Sequence, residues 1–203
     1  MVSGGKLYWL ILAVLLWGLL HSLLASIKAK EIVRHGLGDQ AMRLYRLGYN
    51  IFACISFLPV LALAAMTPDR RLYLVTLPWS ALMIFGELLC VVMLITGFLK
   101  TDGWEFLGLR QAAGPLVTRD GRLVTKGLYR YVRHPLYSAG LGFIWLMPLM
   151  TVNTLAINLG LTVYVITGTI FEECKLRSTF GQAYMDYSAR TPMFIPFTKW
   201  NKK

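Results

Sequence analysis

The chain has 203 residues, of which 56% are hydrophobic, and its mean hydropathy is positive. This composition is too apolar for an ordinary soluble domain. The formal net charge of +11 is compatible with nucleic-acid binding, but the positions of the basic residues, described below, argue against it.

Three apolar blocks come first in the chain, at residues 7–27, 47–66 and 77–99. A bilayer core of about 30 Å needs about 20 helical residues, so each block predicts one transmembrane helix. The second block is uncharged, whereas the first contains His21 and the third contains Glu87.

A fourth apolar block, Leu136–Phe171, contains 36 residues without a charged side chain. As one helix it would be roughly 54 Å long, which is more than a bilayer requires. Pro148 and Asn153, around the sequence MTVNT, predict a break that gives a helical hairpin with spans at 136–151 and 155–171. The sequence therefore predicts an all-α, polytopic integral membrane protein with about five transmembrane helices in one domain, residues 1–203.

The basic residues follow this topology. Eighteen of the 21 Lys and Arg residues lie between the first two spans, in the loop Lys100–Pro135, or in the C-terminal tail. Five spans place all three segments on one side of the membrane. This positive-inside pattern predicts an external N-terminus and a cytoplasmic C-terminus, in the inner membrane if the source is bacterial. Topology and anionic lipid headgroups therefore explain the charge better than nucleic acid does.

The three cysteines, Cys54, Cys90 and Cys174, have no paired spacing. Their scatter argues against a disulfide framework and against a zinc site, so no metal is predicted.

The pair Glu172–Glu173 opens the C-terminal tail at the membrane edge, where two adjacent carboxylates are costly. The pair has two interpretations. It marks the interface, with Glu173 satisfied by Arg177 four residues later, or at least one carboxylate binds a cation. His134 is likewise either an ordinary turn residue or part of a site in the sequence YRYVRHPLY (Tyr129–Tyr137).

Two motifs carry a resemblance to a known family: GRLVTKGLYRYVRHPLYSAG (Gly121–Gly140), and EECKL (Glu172–Leu176) followed by FGQAYMDY. Together they resemble the isoprenylcysteine carboxyl methyltransferase superfamily, integral membrane enzymes that use S-adenosylmethionine and include phospholipid N-methyltransferases. The resemblance covers Leu116–Phe197. It implies S-adenosylmethionine as the cofactor and a cytoplasmic cofactor pocket built from this part of the chain.

The resemblance also implies roles for individual residues. The loop segment Arg122, Leu123 and Val124 would line the nucleoside with backbone groups, and Glu172 would hold the methionyl or ribose end. The other residues implied for the cofactor pocket are Gln111, Tyr129, His134, Pro135, Leu136 and Tyr137. Carboxylate and aromatic groups suit the cationic groups of the cofactor, while His134 and Arg133 suit its carboxylate. No general base is evident, and the candidates for a catalytic role are Arg133 and Glu173.

The methyl acceptor is indicated by one departure from the family pattern. Prenylcysteine enzymes place a substrate-binding arginine about one helical turn before the glutamates, where this chain has Gly168. The sequence TDGWEFLGLRQ (Thr101–Gln111) instead resembles the methanethiol S-methyltransferase branch, which implies a small or lipophilic thiol as acceptor. The alternatives are a prenylcysteine carboxyl O-methyltransferase, a phospholipid N-methyltransferase, and a non-catalytic membrane protein of the same fold.

Four residues are candidates for acceptor binding. Glu87 is ionisable within a span, so it is either functional or neutral and hydrogen-bonded between helices. His21 lies near the end of the first span and is either part of a pocket or a packed interfacial imidazole. Trp104 and Glu105 follow the third span, where a tryptophan also serves as a membrane anchor. No feature of the sequence indicates an oligomeric state.

Overall fold

The computed structural model describes residues 4–100, 103–114 and 123–198, without the side chains of residues 4–6, 100, 105 and 106. Seven α-helices lie in these ranges: α1 (Gly4–Ala25), α2 (Ile27–Met66), α3 (Trp79–Lys100), α4 (Gly103–Leu107), α5 (Leu109–Ala113), α6 (Pro135–Trp145) and α7 (Val152–Arg190). A 3₁₀ turn covers Gly127–Arg130, and two short strands are β1 (Arg71–Leu74) and β2 (Leu149–Thr151). The prediction of a predominantly helical protein is therefore confirmed.

Within the described residues, four helices are long and apolar enough to cross a membrane: Leu7–Ala25, Ile27–Met66, Trp79–Leu99 and Val152–Arg190. The protein is thus an integral membrane protein built from helices. Both helices that exceed a bilayer in length are interrupted by a glycine with non-helical backbone angles, Gly38 in α2 and Gly181 in α7. In α7 the apolar stretch ends at Phe171, so we place the membrane-spanning part of this helix before Glu172.

The described residues form two compact units. The first contains residues 4–74, 98–100, 103–114 and 149–164, and the second contains residues 75–97, 123–148 and 165–198. α3 and α7 contribute residues to both units.

The first unit has a small apolar core in which α1, α2 and the start of α7 meet. Its buried members are Leu10, Val14, Val60 and Ala156. The helices approach closely because Gly160 faces Val14, and a Cβ at Gly160 would lie 2.4 Å from a methyl group of Val14. Small residues allow this kind of contact between transmembrane helices.

Asn153 joins the start of α7 to the end of α2 within the first unit. Its amide nitrogen donates to the carbonyl oxygens of Ala64 (3.1 Å) and Thr67 (3.0 Å), and its backbone N–H donates to Asp69 (3.1 Å). The sequence predicted Asn153 as a helix breaker, but the residue lies in the first turn of α7. There it satisfies carbonyl groups that the end of α2 leaves without helical partners.

The structure adds a feature that the sequence did not predict, a two-stranded antiparallel sheet. β1 pairs with β2 with Tyr73 opposite Met150 and Leu74 opposite Leu149. Met150 is buried, whereas all four residues of β1 are exposed. Three- and four-residue strands give little period-2 pattern, which explains why the sequence did not reveal them.

The structure differs from the prediction of a fourth transmembrane helix at residues 136–151. Its helix α6 has only 11 residues, or about 16 Å, which is too short to cross a bilayer alone. Within the second unit α6 runs antiparallel to α3, with Leu136 against Gly97 and Leu146 against Gly86. Beyond α6, the carbonyl of Pro148 accepts a hydrogen bond from the N–H of Val75, at 2.8 Å. α6 therefore lies along α3, and the segment that follows α6 is hydrogen-bonded to Val75, before α3 begins.

Candidate functional site

The sequence around Arg133 forms a buried turn between the 3₁₀ turn and α6. Pro135 is the first residue of α6, a position where a proline costs no helical hydrogen bond. The backbone N–H groups of Arg133 and His134 donate to the carbonyls of Pro192 (2.9 Å) and Met193 (3.2 Å). We call residues 188–194 the C-terminal strap, because this segment lies along the turn and satisfies its backbone.

The side chain of Arg133 is enclosed by its partners. Its Nε and Nη2 donate to the two carboxylate oxygens of Glu173 at 2.8 and 2.9 Å. Its Nη1 donates to the carbonyls of Ser188 (3.1 Å) and Thr191 (2.6 Å), both in the C-terminal strap. Arg133 thus binds α7 and the strap through four hydrogen bonds, which use the planar fork of a guanidinium group.

Three donors converge on one oxygen of Glu173. Besides Arg133, the imidazole Nε2 of His134 lies 2.8 Å from Oε1, and the hydroxyl of Tyr184 donates to Oε1 at 2.6 Å. Only 5% of the Glu173 side chain is exposed. Burial alone raises the pKa of a carboxyl group, but hydrogen bonds from Arg133, Tyr184 and His134 outweigh it and lower the pKa of Glu173 to about 2. Glu173 is therefore an ionised, internally compensated carboxylate.

The contact between Tyr184 and Glu173 depends on the kink in α7. Eleven residues along a straight helix correspond to about 16 Å, whereas these two side chains are hydrogen-bonded. Gly181, between them, has φ +52° and ψ −128°, a conformation that suits glycine because it has no Cβ. The kink therefore brings the second half of α7 back to the carboxylate.

Glu172 has different surroundings from its neighbour. Its side chain is 42% exposed, and one carboxylate oxygen lies 3.7 Å from Nδ1 of His134. Burial, and then the nearby Glu172 carboxylate, raises the pKa of Tyr129. The ring of His134 stacks on Tyr137 with a centroid separation of 5.6 Å. One buried imidazole thus lies between a saturated carboxylate and an accessible one and stacks on Tyr137, while Tyr129 lies near the accessible carboxylate.

The structure therefore brings together most of the predicted site residues that lie in the second unit. The connected set contains Tyr129, Arg133, His134, Tyr137, Glu172 and Glu173. Leu123 and Val124 lie in a segment without regular secondary structure, and Val124 is exposed. Leu136 packs against α3. Arg122 lies outside the described residues.

The other candidates are not part of this set. Gln111, Trp104 and His21 belong to the first unit, and nothing is described of the Glu105 side chain. Trp104 is exposed, as expected for a membrane anchor. Glu87 is half-buried in α3, and no hydrogen bond or ion pair joins it to another described residue. Among the buried side-chain atoms of the described residues, Oε1 of Gln111 stands out because it has no hydrogen-bond partner, so a ligand donor would fit there.

His21 has partners that the sequence did not indicate. Its Nδ1 lies 2.8 Å from the hydroxyl of Tyr49 and is also hydrogen-bonded to the hydroxyl of Tyr164. Trp17, one turn earlier, packs on the imidazole at 5.1 Å between ring centroids. These side chains come from α1, α2 and α7, so no local pattern in the sequence could have linked them.

The sequence also missed the residues that complete the site around Glu173. These are Tyr184 and, in the C-terminal strap, Ser188, Thr191, Pro192, Met193 and Phe194. Phe194 lies 6.1 Å from His134 between ring centroids, and its carbonyl accepts a hydrogen bond from Ser138 at 2.7 Å. Residue types did not indicate the strap, because it acts chiefly through backbone carbonyls.

Comparisons with known proteins give one consistent family. The model of the phospholipid methyltransferase family matches residues 81–183. The chain is 31% identical over 166 residues to methanethiol S-methyltransferase 1 of Bradyrhizobium diazoefficiens, covering 74% of this chain and 54% of that protein. It is 35% identical over 131 residues to methanethiol S-methyltransferase of Pseudomonas deceptionensis, covering 63% and 47%.

A shorter match links the chain to another branch. It is 39% identical over 83 residues to protein-S-isoprenylcysteine O-methyltransferase of Schizosaccharomyces pombe, covering 38% of this chain and 34% of that protein. The chain spans about half the length of the methanethiol S-methyltransferases described above. No solved structure matches it.

Proposed function

The chain belongs to the phospholipid methyltransferase family, and on that premise we propose that it transfers a methyl group from S-adenosylmethionine to a small or lipophilic thiol. One observation of the site carries the proposal. Of two adjacent carboxylates, Glu173 is satisfied by the protein, whereas Glu172 remains accessible near Tyr129 and beside the imidazole of His134, which stacks on Tyr137. This arrangement suits a cationic ligand.

The described residues fit the cofactor's charged end. Glu172 would hold the ammonium group, with Tyr129 and Tyr137 as aromatic walls beside the cationic centres. Leu123 and Val124 would offer backbone groups to the nucleoside. Arg133 is less suited to the cofactor's carboxylate than the sequence indicated, because four hydrogen bonds to Glu173 and the C-terminal strap occupy its guanidinium.

When bound, S-adenosylmethionine supplies a methyl group on a sulfonium, which is already a good leaving group. The protein's own contribution is then chiefly to orient the reactants and exclude water. The network around Glu173 serves orientation, because it fixes the turn, the strap and the imidazole of His134 in one arrangement. In this proposal Arg133 and Glu173 hold the site together and do not exchange protons with the acceptor.

The choice of a thiol acceptor rests on two kinds of support. Several relatives are named methanethiol S-methyltransferases, and the position of the prenylcysteine-binding arginine is occupied by Gly168. Gly168 is exposed, and a Cβ there would have no atom within 4 Å. An uncharged, open position favours a small neutral acceptor over a carboxylate.

His21 is the first residue to test for acceptor binding. It is an imidazole inside a transmembrane helix, hydrogen-bonded to Tyr49 and Tyr164, and such polar groups within spans are commonly functional. We expect His21→Asn to raise the KM for the thiol and leave the affinity for S-adenosylhomocysteine unchanged. An unchanged KM would assign the imidazole to contacts between helices.

The deciding experiment uses the purified chain in detergent with labelled S-adenosylmethionine and three acceptors: methanethiol, a farnesylated cysteine and phosphatidylethanolamine. We expect methyl transfer to methanethiol alone. Transfer to farnesylcysteine or phosphatidylethanolamine would replace the thiol with a carboxylate or amine acceptor. If the chain bound S-adenosylhomocysteine but methylated none of the three compounds, the proposed acceptor would be wrong. If it did not bind S-adenosylhomocysteine, it would be a non-catalytic protein of this family.

A further inference from the structure

The C-terminal strap continues into a tight turn at residues 195–198, which we call the strap tip. The hydroxyl of Thr198 donates to the carbonyl of Ile195 at 2.8 Å. Phe197 has φ +64°, in the left-handed region that residues with a Cβ rarely adopt. A proline followed by a left-handed residue is typical of type II turns, in which glycine usually occupies the left-handed position. The strap tip therefore holds a phenylalanine where its backbone is strained.

The strap tip also presents large apolar side chains to its surroundings. Ile195 is 66% exposed and Phe197 is 81% exposed. The ring of Phe197 lies 6.4 Å from the ring of Tyr131, between centroids, and Tyr131 is itself 52% exposed. These three side chains form an apolar patch on the second unit. Water would compensate neither the exposure of this patch nor the strain at Phe197.

The depth of the strap tip in the membrane follows from its attachment to α6. The hydroxyl of Ser138 donates to the carbonyl of Phe194, directly before the strap tip, at 2.7 Å. Leu136, two residues before Ser138, packs on Gly97, which belongs to the membrane-spanning part of α3. Because α6 runs antiparallel to α3, Ser138 lies further along this span than Leu136 does. The strap tip therefore begins beside a membrane-embedded segment.

We propose that the strap tip inserts into the lipid leaflet at this end of α3, with Ile195 and Phe197 as anchors in the edge of the acyl-chain layer. The backbone of the turn suits this environment, because lipid cannot satisfy polar groups. Pro196 has no backbone N–H group, and the carbonyl of Ile195 is paired with the Thr198 hydroxyl. Transfer of the Phe197 ring from water into lipid would also offset its backbone strain.

A lipid surface fits the strap tip better than a second copy of the chain or another protein does. Beside the patch, Tyr131 follows the exposed Arg130 in the chain, and an aromatic ring next to a basic side chain is typical of the membrane–water interface. A protein interface of standard size buries about 800 Å² on each partner, or 20 to 30 residues. A patch of three side chains is small for that purpose.

Insertion of the strap tip gives the membrane a part in holding the strap in place. The strap accepts hydrogen bonds from the side chain of Arg133 at the carbonyls of Ser188 and Thr191, and from its backbone N–H at Pro192. These contacts lie only a few residues before the strap tip. Anchoring the tip in lipid therefore restricts the strap to the arrangement in which it encloses Arg133.

Photo-crosslinking identifies what the strap tip contacts. The photoreactive analogue p-benzoylphenylalanine replaces Phe197 in the full chain, which is reconstituted into vesicles of phosphatidylcholine and phosphatidylglycerol and irradiated. We expect mass spectrometry to find lipid adducts of the chain. The same analogue at Leu88, exposed within the α3 span, should also react with lipid, whereas at the exposed Lys126 it should not. Adducts at residue 197 with a second copy of the chain, or none while residue 88 reacts, would overturn the insertion.

Hydrogen exchange separates the effect of the ring from that of the strained backbone. Phe197→Gly relieves the strain at φ +64° but removes the anchor, so we expect the amide hydrogens of residues 188–198 to exchange severalfold faster in vesicles. Phe197→Leu keeps an apolar side chain and should retain most of the protection. Unchanged or slower exchange in Phe197→Gly would contradict anchoring by the ring. Neither experiment uses a methyl donor or acceptor, so both results are independent of the proposed function.

Discussion

Glu172 and Glu173 are adjacent in the sequence, but their carboxylates have opposite environments. Three side chains donate to the buried carboxylate of Glu173, whereas 42% of the Glu172 side chain is exposed. Successive residues of an α-helix point about 100° apart, so the turn containing Arg133 encloses the Glu173 carboxylate, whereas Glu172 meets this turn only at His134 and stays partly open to solvent. The two glutamates should therefore respond differently to substitution.

Glu172→Ala should abolish binding of S-adenosylhomocysteine and change the free energy of unfolding by less than about 1 kcal/mol, as for other accessible charges. Glu173→Gln should instead destabilise the protein by about 3–5 kcal/mol, because it leaves the buried guanidinium of Arg133 without its counter-ion. Calorimetric binding and thermal unfolding in detergent measure the two effects. Wild-type affinity in Glu172→Ala would disprove the assignment of Glu172 to the cofactor.

Acid should weaken the Glu173 network. The pKa of Glu173 is lowered from 4.5 to about 2 in the folded protein. Its contribution to stability is therefore complete above about pH 4.5 and is lost as the pH falls toward 2, where the folded form also takes up a proton. The difference in unfolding temperature between wild type and Glu173→Gln should shrink over this range. A difference that stays constant with pH would contradict the low pKa.

The kink at Gly181 should be essential for the same network. An alanine there would be forced into φ +52°, ψ −128°, a strain of about 1–3 kcal/mol, or would straighten α7 and move Tyr184 away from Glu173. Gly181→Ala should therefore lower both the unfolding temperature and the affinity for S-adenosylhomocysteine. Gly168→Ala, in the same helix with open space around it, is the control and should be neutral.

Local pattern explains which parts of the fold the sequence revealed. Long uncharged blocks predict transmembrane helices because backbone groups in lipid must be satisfied within the helix, and the part of the chain that the structure describes contains four such helices. The break between α6 and α7 was also predicted. The short length of α6 was not, because an apolar segment shows the same hydropathy whether it continues as helix or becomes extended.

In the candidate site, too, residues within local motifs were predicted and long-range contacts were not. His134, Glu172 and Glu173 were found because two short motifs carry them. Tyr184 and the C-terminal strap were not predicted, because Tyr184 reaches Glu173 only through the kink at Gly181, and the strap contributes carbonyl groups that every residue has. Long-range pairing through backbone atoms leaves no signature in residue types.

Gly168→Arg tests the acceptor. The position is open, so the side chain can be accommodated, and we expect no gain in methyl transfer to methanethiol, since a neutral thiol gives a guanidinium little to bind. We expect any gain to appear with farnesylcysteine, whose carboxylate matches the new charge. Relative kcat/KM for the two acceptors is the measurement. A large increase in kcat/KM with methanethiol would show that the absence of an arginine at residue 168 does not indicate which acceptor the protein uses.

The packing of α6 on α3 gives a prediction with a control in the same helix pair. A Cβ at Gly97 would lie 2.4 Å from a methyl group of Leu136, whereas one at Gly140 would have no atom within 4 Å. Gly97→Ala should therefore destabilise the protein by about 1–3 kcal/mol through overpacking. Gly140→Ala should be neutral or stabilising by up to about 1 kcal/mol, since alanine is the better helix former.

Leu136→Ala would restore the space that Gly97→Ala removes. The double variant should therefore be more stable than the sum of the single effects predicts, and thermal unfolding of all three variants measures this coupling. Strict additivity would mean that the two residues do not touch. α6 would then pack on α3 through its other contacts, such as Leu146 against Gly86.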